Sequence, residues 1–231
     1  MIEAVLFDVG GVIDTEEAFE QLVDHEITAL FAEANVRVSP ERYQEANDAA
    51  VAAYAPNAYQ AIVWNLARGD RILAERIWFA LGQRAHSGDT FQLRDGVTEL
   101  LAELYAQDVK LGIVANQPAA TLTILDAYGL GGFFGFRQVS STLGLRKPDT
   151  RLFLAACEGL GVAPERCVMV GDRIDNDIAP AKALGMTAIR FRGGRHVAQA
   201  PRSWTELPDA EVTSIDELRQ ALARWITLDP A

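Results

Sequence analysis

Ala4-Val5-Leu6-Phe7-Asp8-Val9-Gly10-Gly11 is the stretch on which the reading of the fold turns. Four apolar residues in a row, without polar alternation, suit a strand buried on both faces, and parallel sheets covered by helices bury their strands in that way. The run stops on Asp8, a carboxylate at the strand's carboxyl end, with Gly10 and Gly11 behind it. Three further runs have the same character: Leu111 to Ala115, Cys167 to Val170 and Thr187 to Phe191. Between them lie helical stripes. Val97, Leu100, Leu101, Leu104 and Tyr105 recur at helical spacing, as do Leu152, Phe153, Ala156 and Leu160, and Ile178, Ala181 and Leu184. Strands alternating with helices predict an α/β fold with a doubly wound, Rossmann-like parallel sheet. A closing helix is expected over Ile215, Leu218, Leu222, Trp225 and Ile226, and the Gly-, Pro- and Arg-rich stretch Arg192 to Pro208 reads as loop.

One region interrupts the alternation. From Glu16 to Asp89 the apolar positions keep a helical period, and no strand pattern is found. Ala18, Phe19, Leu22, Val23, Ile27, Leu30 and Phe31 form a long stripe, a second helix is expected after the Ser39-Pro40 cap, and another spans Arg71 to Leu81. A strand-to-strand crossover needs only a dozen or so residues, far fewer than this block holds. The expected organisation is therefore an α/β core made of residues 1–15 and 90–231, with an inserted all-helical cap at 16–89. The expected joints are Asp14–Glu17 and Ser87–Phe91.

Composition narrows the partners. The chain has 231 residues with 21 Lys+Arg against 32 Asp+Glu, a net charge of −11, and 49% hydrophobic residues. That is a globular composition. The acidity argues against nucleic acid and anionic membrane, both of which reward clustered Lys and Arg. An anionic small molecule would instead need a local positive device, such as a metal or a placed lysine. Two cysteines, Cys157 and Cys167, sit in apolar runs and read as core in a reducing compartment. No basic leader and no span of about 18 apolar residues is found, so a cytoplasmic location is expected.

Ligands of doubly wound sheets bind beyond the carboxyl ends of the strands. Those ends present Asp8, Asn116, Asp172 with Asp175 and Asp177 behind it, and between them Gly144-Leu145-Arg146-Lys147-Pro148-Asp149. Asp149 reads as a helix N-cap, and the same role is open to Asp177. Asp14 reads as a polar turn residue, and Asp175 is left open, because a solvated loop position explains it as well as a role at the site does. His25, His86 and His196 lack ligand spacing. Arg190, Arg192, Arg195 and Arg202 read as a solvated loop or interface.

The order and wording of four segments resemble the haloacid dehalogenase-like hydrolase superfamily: FDVGGVIDT from Phe7, IVANQP from Ile113, GLRKPD from Gly144 and VGDRIDNDIAPAKALGM from Val170. The resemblance spans nearly the whole chain, with the helical block where such proteins often carry a cap. It implies a phosphatase acting on a small phosphorylated metabolite with Mg²⁺. Asp8 would be the nucleophile that becomes an aspartyl-phosphate, splitting one displacement into two. Asp8 and Asp172 with the Gly10 carbonyl would hold the metal, and Asp177 would hold a metal-bound water or steady Lys147. Lys147 would offset charge between nucleophile and phosphoryl group, and Gly11 and Asn116 would contact substrate.

Two departures bear on activity. Family phosphatases usually carry an Asp two residues after the nucleophile, as proton donor and then base; here it is Gly10. The Ser or Thr expected before Asn116 is Ala115. A phosphatase restricted to good leaving groups is the leading expectation. The alternatives are a non-catalytic ligand- or partner-binding member and a 2-haloacid dehalogenase. Gly171-Asp172 weighs against the last, because dehalogenases of this superfamily lack it.

Overall fold

The computed structural model describes residues 2–85 and 90–226. His86, residues 87–89 of the expected second joint and the domain boundary at 89/90 therefore lie outside or at the edge of the described residues. The described residues divide into two compact units: residues 2–15, 92–197 and 201–226 in one, and residues 16–85, 90–91 and 198–200 in the other.

The first unit is built on β1 (Ala4–Phe7), α5 (Val97–Ala106), β2 (Lys110–Ile113), α6 (Ala120–Ala127), β3 (Phe134–Phe136), α7 (Ser140–Leu143), α8 (Thr150–Leu160), β4 (Cys167–Gly171), α9 (Ala179–Ala183), β5 (Thr187–Phe191), β6 (Ala210–Val212) and α10 (Ile215–Leu222). Its six strands are ordered β3-β2-β1-β4-β5-β6, and every pairing is parallel. All four residues of β1 are fully buried, as a continuous apolar run demands. Ala4 pairs with both Lys110 and Cys167, and Phe7 with both Ile113 and Val170. The chain direction of the winding reverses between β1 and β4, and that switch point is where such sheets open a crevice.

Leu6, Phe153, Ala156, Met169 and Ile178 form part of one continuous core between sheet and helices. Complete burial of a side chain of that size contributes about 1.5–3 kcal/mol. Two strands exceed the sequence expectation. β3 and β6 have three residues each and close the two edges, too short to leave a periodic signature. The expected loop Arg192–Pro208 contains two single-turn helical segments, Arg195–Ala198 and Trp204–Glu206. The closing helix ends at Leu222, before Trp225 and Ile226.

The second unit contains α1 (Glu17–Glu33), α2 (Pro40–Ala52), α3 (Ala58–Leu66) and α4 (Arg71–Arg84), and no strand among its described residues. Three of these helices start on side-chain caps. Ser39 accepts from Arg42 N at 3.3 Å, Asn57 from Gln60 N at 3.0 Å, and Asp70 from Leu73 N at 2.9 Å. Each such cap is worth about 1 kcal/mol. Val23, Ile27, Phe31, Ile62, Leu66 and Ile77 build a separate core. Among the described residues no helix is long and apolar enough to cross a membrane.

Candidate active site

Asp8 follows β1 directly. Its backbone N donates to Val170 O of β4 at 2.9 Å, which fixes the residue at the switch point. Its carboxylate is oriented at both oxygens: Oδ1 accepts from Val9 N at 2.8 Å, and Oδ2 lies 2.7 Å from Lys147 Nζ. Lys147 Nζ also lies 2.6 Å from Asp177 Oδ1. Asp8, Lys147, Asp172 and Asp177 are 8%, 5%, 6% and 0% exposed. One lysine thus bridges two carboxylates at the edge of a closed core.

Gly171 and Gly11 make the close approaches possible. A Cβ on Gly171 would collide with the Asp177 side chain, and one on Gly11 would sit 2.9 Å from Asp172 Cγ. Gly11 also has φ +72°, a conformation that costs an L-residue energy. Behind Gly171 the chain runs through a π-helical turn, Ile174–Ile178, of the kind often found at functional sites. That turn carries Asp177 inward, where its second oxygen accepts from Arg173 N at 2.9 Å. Asp177 lies inside the turn and bonds back to Arg173, so it is no N-cap for α9. Asp149 is the cap of α8, accepting from Arg151 N at 3.0 Å.

The electrostatics follow from burial and company. Burial drags the Lys147 ammonium toward neutrality, but Asp177 and Asp8 outweigh it, and its pKa stands above that of an ordinary lysine. Burial pushes the Asp177 carboxyl up; Lys147 pulls it down, the Asp8 charge raises it further, and the outcome is about 6. The Asp8, Asp172 and Asp177 carboxylates offer oxygens within 4.8 Å of one another. Three buried carboxylates around one lysine are an excess of negative charge, and hard oxygen donors at that spacing suit a hard divalent cation. The donor set therefore fits Mg²⁺.

Several expected residues have other occupations. Asn116 was expected to contact substrate, but its amide clamps Lys147: Oδ1 accepts from Lys147 N at 2.8 Å, and Nδ2 donates to Lys147 O at 3.0 Å. Asp14 accepts from Gln92 N at 2.9 Å, stitching the outgoing and returning chains, which are also joined by Thr15 N to Gln92 O and Arg94 N to Ile13 O. Asp175 is not simply solvated, because Arg173 reaches both its oxygens at 3.1 and 2.6 Å. The solvated reading of the arginine cluster fails at Arg190. That residue is 1% exposed. It donates to the Asp172 and His196 carbonyls and pairs with Glu211.

Arg94 is a residue that sequence reasoning passed over. Its guanidinium donates to Gly11 O at 2.8 Å and Val12 O at 2.9 Å, and stacks 4.4 Å from the Phe191 ring centre. It fastens the loop behind Asp8 to β5, and no local pattern in the sequence distinguishes it from a surface arginine. His196 is neutral. Burial, with Arg173 close by, drives its pKa down to about 3.

A family model described as haloacid dehalogenase-like hydrolase matches residues 2–185. A glyceraldehyde 3-phosphate phosphatase from Methanopyrus kandleri is 36% identical over 123 residues, covering 53% of either chain. The match thus spans about half the length of that relative. A protein of the same name from Methanothermobacter thermautotrophicus is 25% identical over 230 residues, covering 95% of this chain and 98% of its own. Among solved structures, a HAD family hydrolase from Deinococcus radiodurans superposes with a TM-score of 0.72 at 24% identity, covering 100% of this chain and 99% of its own. This chain belongs to the haloacid dehalogenase-like hydrolase family.

Proposed function

We propose that this protein is a Mg²⁺-dependent phosphatase of small phosphorylated metabolites that works through an aspartyl-phosphate on Asp8 and favours good leaving groups. The observation that carries the reading is the buried Asp8–Lys147–Asp177 chain at the switch point, with Lys147 Nζ 2.7 and 2.6 Å from its partners. The two relatives named as phosphatases support it.

Asp8 attacks the phosphorus with a carboxylate already oriented by Val9 N and Lys147. The ammonium lowers the repulsion between that carboxylate and an anionic phosphate, a contribution made where charge develops. Asn116 holds Lys147 through its main chain and Gly11 gives Asp172 room. Asp8, Asp172, Asp177 and the Gly10 carbonyl would hold Mg²⁺, which when bound supplies charge neutralisation at the phosphoryl oxygens. The helical unit is the substrate-selecting cap in this reading.

Gly10 sets the substrate range. A side-chain acid and base at that position would contribute about 10²–10⁴-fold, and glycine has neither. The leaving oxygen must depart as an anion or take its proton from water, which favours anomeric, acyl or aryl phosphates over alkyl ones. A second reading, a ligand-binding protein without turnover, is favoured by Gly10 and Ala115 together. A screen of phosphorylated metabolites with and without Mg²⁺, run beside Asp8→Asn, separates the two. Metal-dependent phosphate release above the variant supports the phosphatase; release equal to the variant on every compound favours the binding protein.

A further inference from the structure

The chain's two cysteines take no part in this chemistry. Cys157 lies in α8 and Cys167 opens β4, and they are 4% and 0% exposed. Their sulfurs are 3.7 Å apart, in van der Waals contact. Both positions are tightly held, Cys167 by its ladder partner Ala4 and Cys157 by the helix and its core neighbours. We propose that Cys157 and Cys167 are a dithiol–disulfide couple, a redox modification site closed within the folded chain by a small hydroperoxide.

The two thiols are not equivalent. Cys167 Sγ donates to Ala163 O at 3.4 Å. The hydrogen bond shared with Cys157, followed by burial, pushes the Cys167 thiol up, while the same shared bond lowers Cys157. The Ala163 carbonyl engages the Cys167 proton, which leaves Cys157 as the attacking sulfur, in its thiolate form. Its sulfur attacks one oxygen of the hydroperoxide and the O–O bond breaks. The products are a sulfenic acid on Cys157 and an alcohol, or water when the oxidant is hydrogen peroxide. Cys167 sulfur then attacks Cys157 sulfur. The S–S bond forms, the S–O bond breaks, and the hydroxide leaves as water with the Cys167 proton. Two thiols and one hydroperoxide give one disulfide, one alcohol and one water, with two electrons passing from sulfur to oxygen. A disulfide needs sulfurs at about 2.05 Å, so a modest closing movement of α8 against β4 completes it.

Two effects compete for the rate. Burial limits access of the oxidant, whereas fixed contact makes the second step effectively unimolecular, and well-oriented groups reach effective molarities of about 10⁵ M or more. In an unfolded chain the same two residues must find each other by loop closure. Burial therefore governs the first step, and contact makes the second follow at once. The decisive experiment exposes the full folded protein, and separately the urea-unfolded protein, to a small excess of hydrogen peroxide. Free thiols and intact mass are followed after acid quench, with Cys157→Ser as the companion. The expected result is loss of both thiols and of two hydrogens' mass per monomeric chain. Sulfenic acid should not accumulate in the folded protein, dithiothreitol should reverse the change, and the Cys167 thiol should persist in Cys157→Ser. Survival of both thiols in the folded protein, a sulfenic acid that persists there without closing to the disulfide, or disulfide-linked dimers as the main product would overturn it.

Discussion

At the carboxyl edge of the sheet, the Lys147 side chain is 2% exposed and lies between Asp8 and Asp177, whose side chains are 12% and 0% exposed. In the helical unit, Arg84 reaches Glu33 and Glu26 with its side chain 40% exposed, and Arg71 pairs with Glu75 at 78% and 56%. The same kinds of charge thus meet in two solvents. Exposed pairs are screened and contribute little. Buried pairs cost desolvation, and a better-packed apolar cluster would hold the sheet as well. A fold that places three carboxylates and a lysine in a buried corner is using that corner for something other than stability. The helical unit shows the opposite arrangement, with an apolar core, side-chain caps and charge left at the surface. Chemistry and scaffolding are thus separated along the chain.

This contrast can be broken or sharpened by substitution. The largest effect is expected for Asp8→Asn, which should reduce Mg²⁺-dependent phosphate release to the uncatalysed background while leaving the circular dichroism spectrum unchanged. Lys147→Met removes the shared partner of two buried carboxylates, and loss of one partner of a buried pair costs about 3–5 kcal/mol. Urea unfolding of the metal-free protein would show it, and an unchanged midpoint would mean that the site is wetter than the structure indicates.

A titration effect comes next. Because the Asp177 carboxyl is raised to about 6, it holds a proton below that pH and is an anion above it. Mg²⁺ affinity measured by calorimetry should therefore fall as pH drops through about 6, and Asp177→Asn should flatten that limb. In the helical unit, Ile27→Val trims a fully buried side chain and should cost about 0.5–1.5 kcal/mol with kcat unchanged. Arg84→Ala should leave the unfolding midpoint where it was; a clear drop would show that its surface pairs matter more than exposed pairs usually do.

Legibility in the sequence followed the same division. The four central strands could be read because burial on both faces leaves continuous apolar runs. α2 announced itself through Ser39-Pro40. The three-residue edge strands β3 and β6 left no period to detect, and α3, nine residues capped by Asn57, was too short to stand apart from its neighbours although Ala58, Ile62, Val63 and Leu66 keep helical spacing. At the site, Asp8 and Asp172 were readable as carboxylates that end apolar runs at strand ends, with Asp177 just behind, whereas the role of Lys147, in the loop before α8, came from the resemblance of GLRKPD to the family motif. Arg94, Arg173 and Arg190 were not. An arginine buried against carbonyls or a carboxylate looks, in sequence, like any surface charge. The Asn116 clamp was equally hidden, because both of its bonds go to a main chain 31 residues away.

The central claim is that Asp8 turns over phosphate esters without a side-chain proton donor at Gly10. Gly10 is not among the glycines held at positive φ, so no left-handed backbone stands against an aspartate there. The most direct measurement is kcat/KM for one aryl and one alkyl phosphate in wild type and Gly10→Asp, each corrected for Asp8→Asn. The account predicts that wild type cleaves the aryl ester and barely touches the alkyl one. It also predicts that Gly10→Asp accelerates the alkyl ester by up to about 10²–10⁴-fold with little gain on the aryl one. Equal wild-type rates on both esters would mean that another residue delivers the proton, and would contradict it.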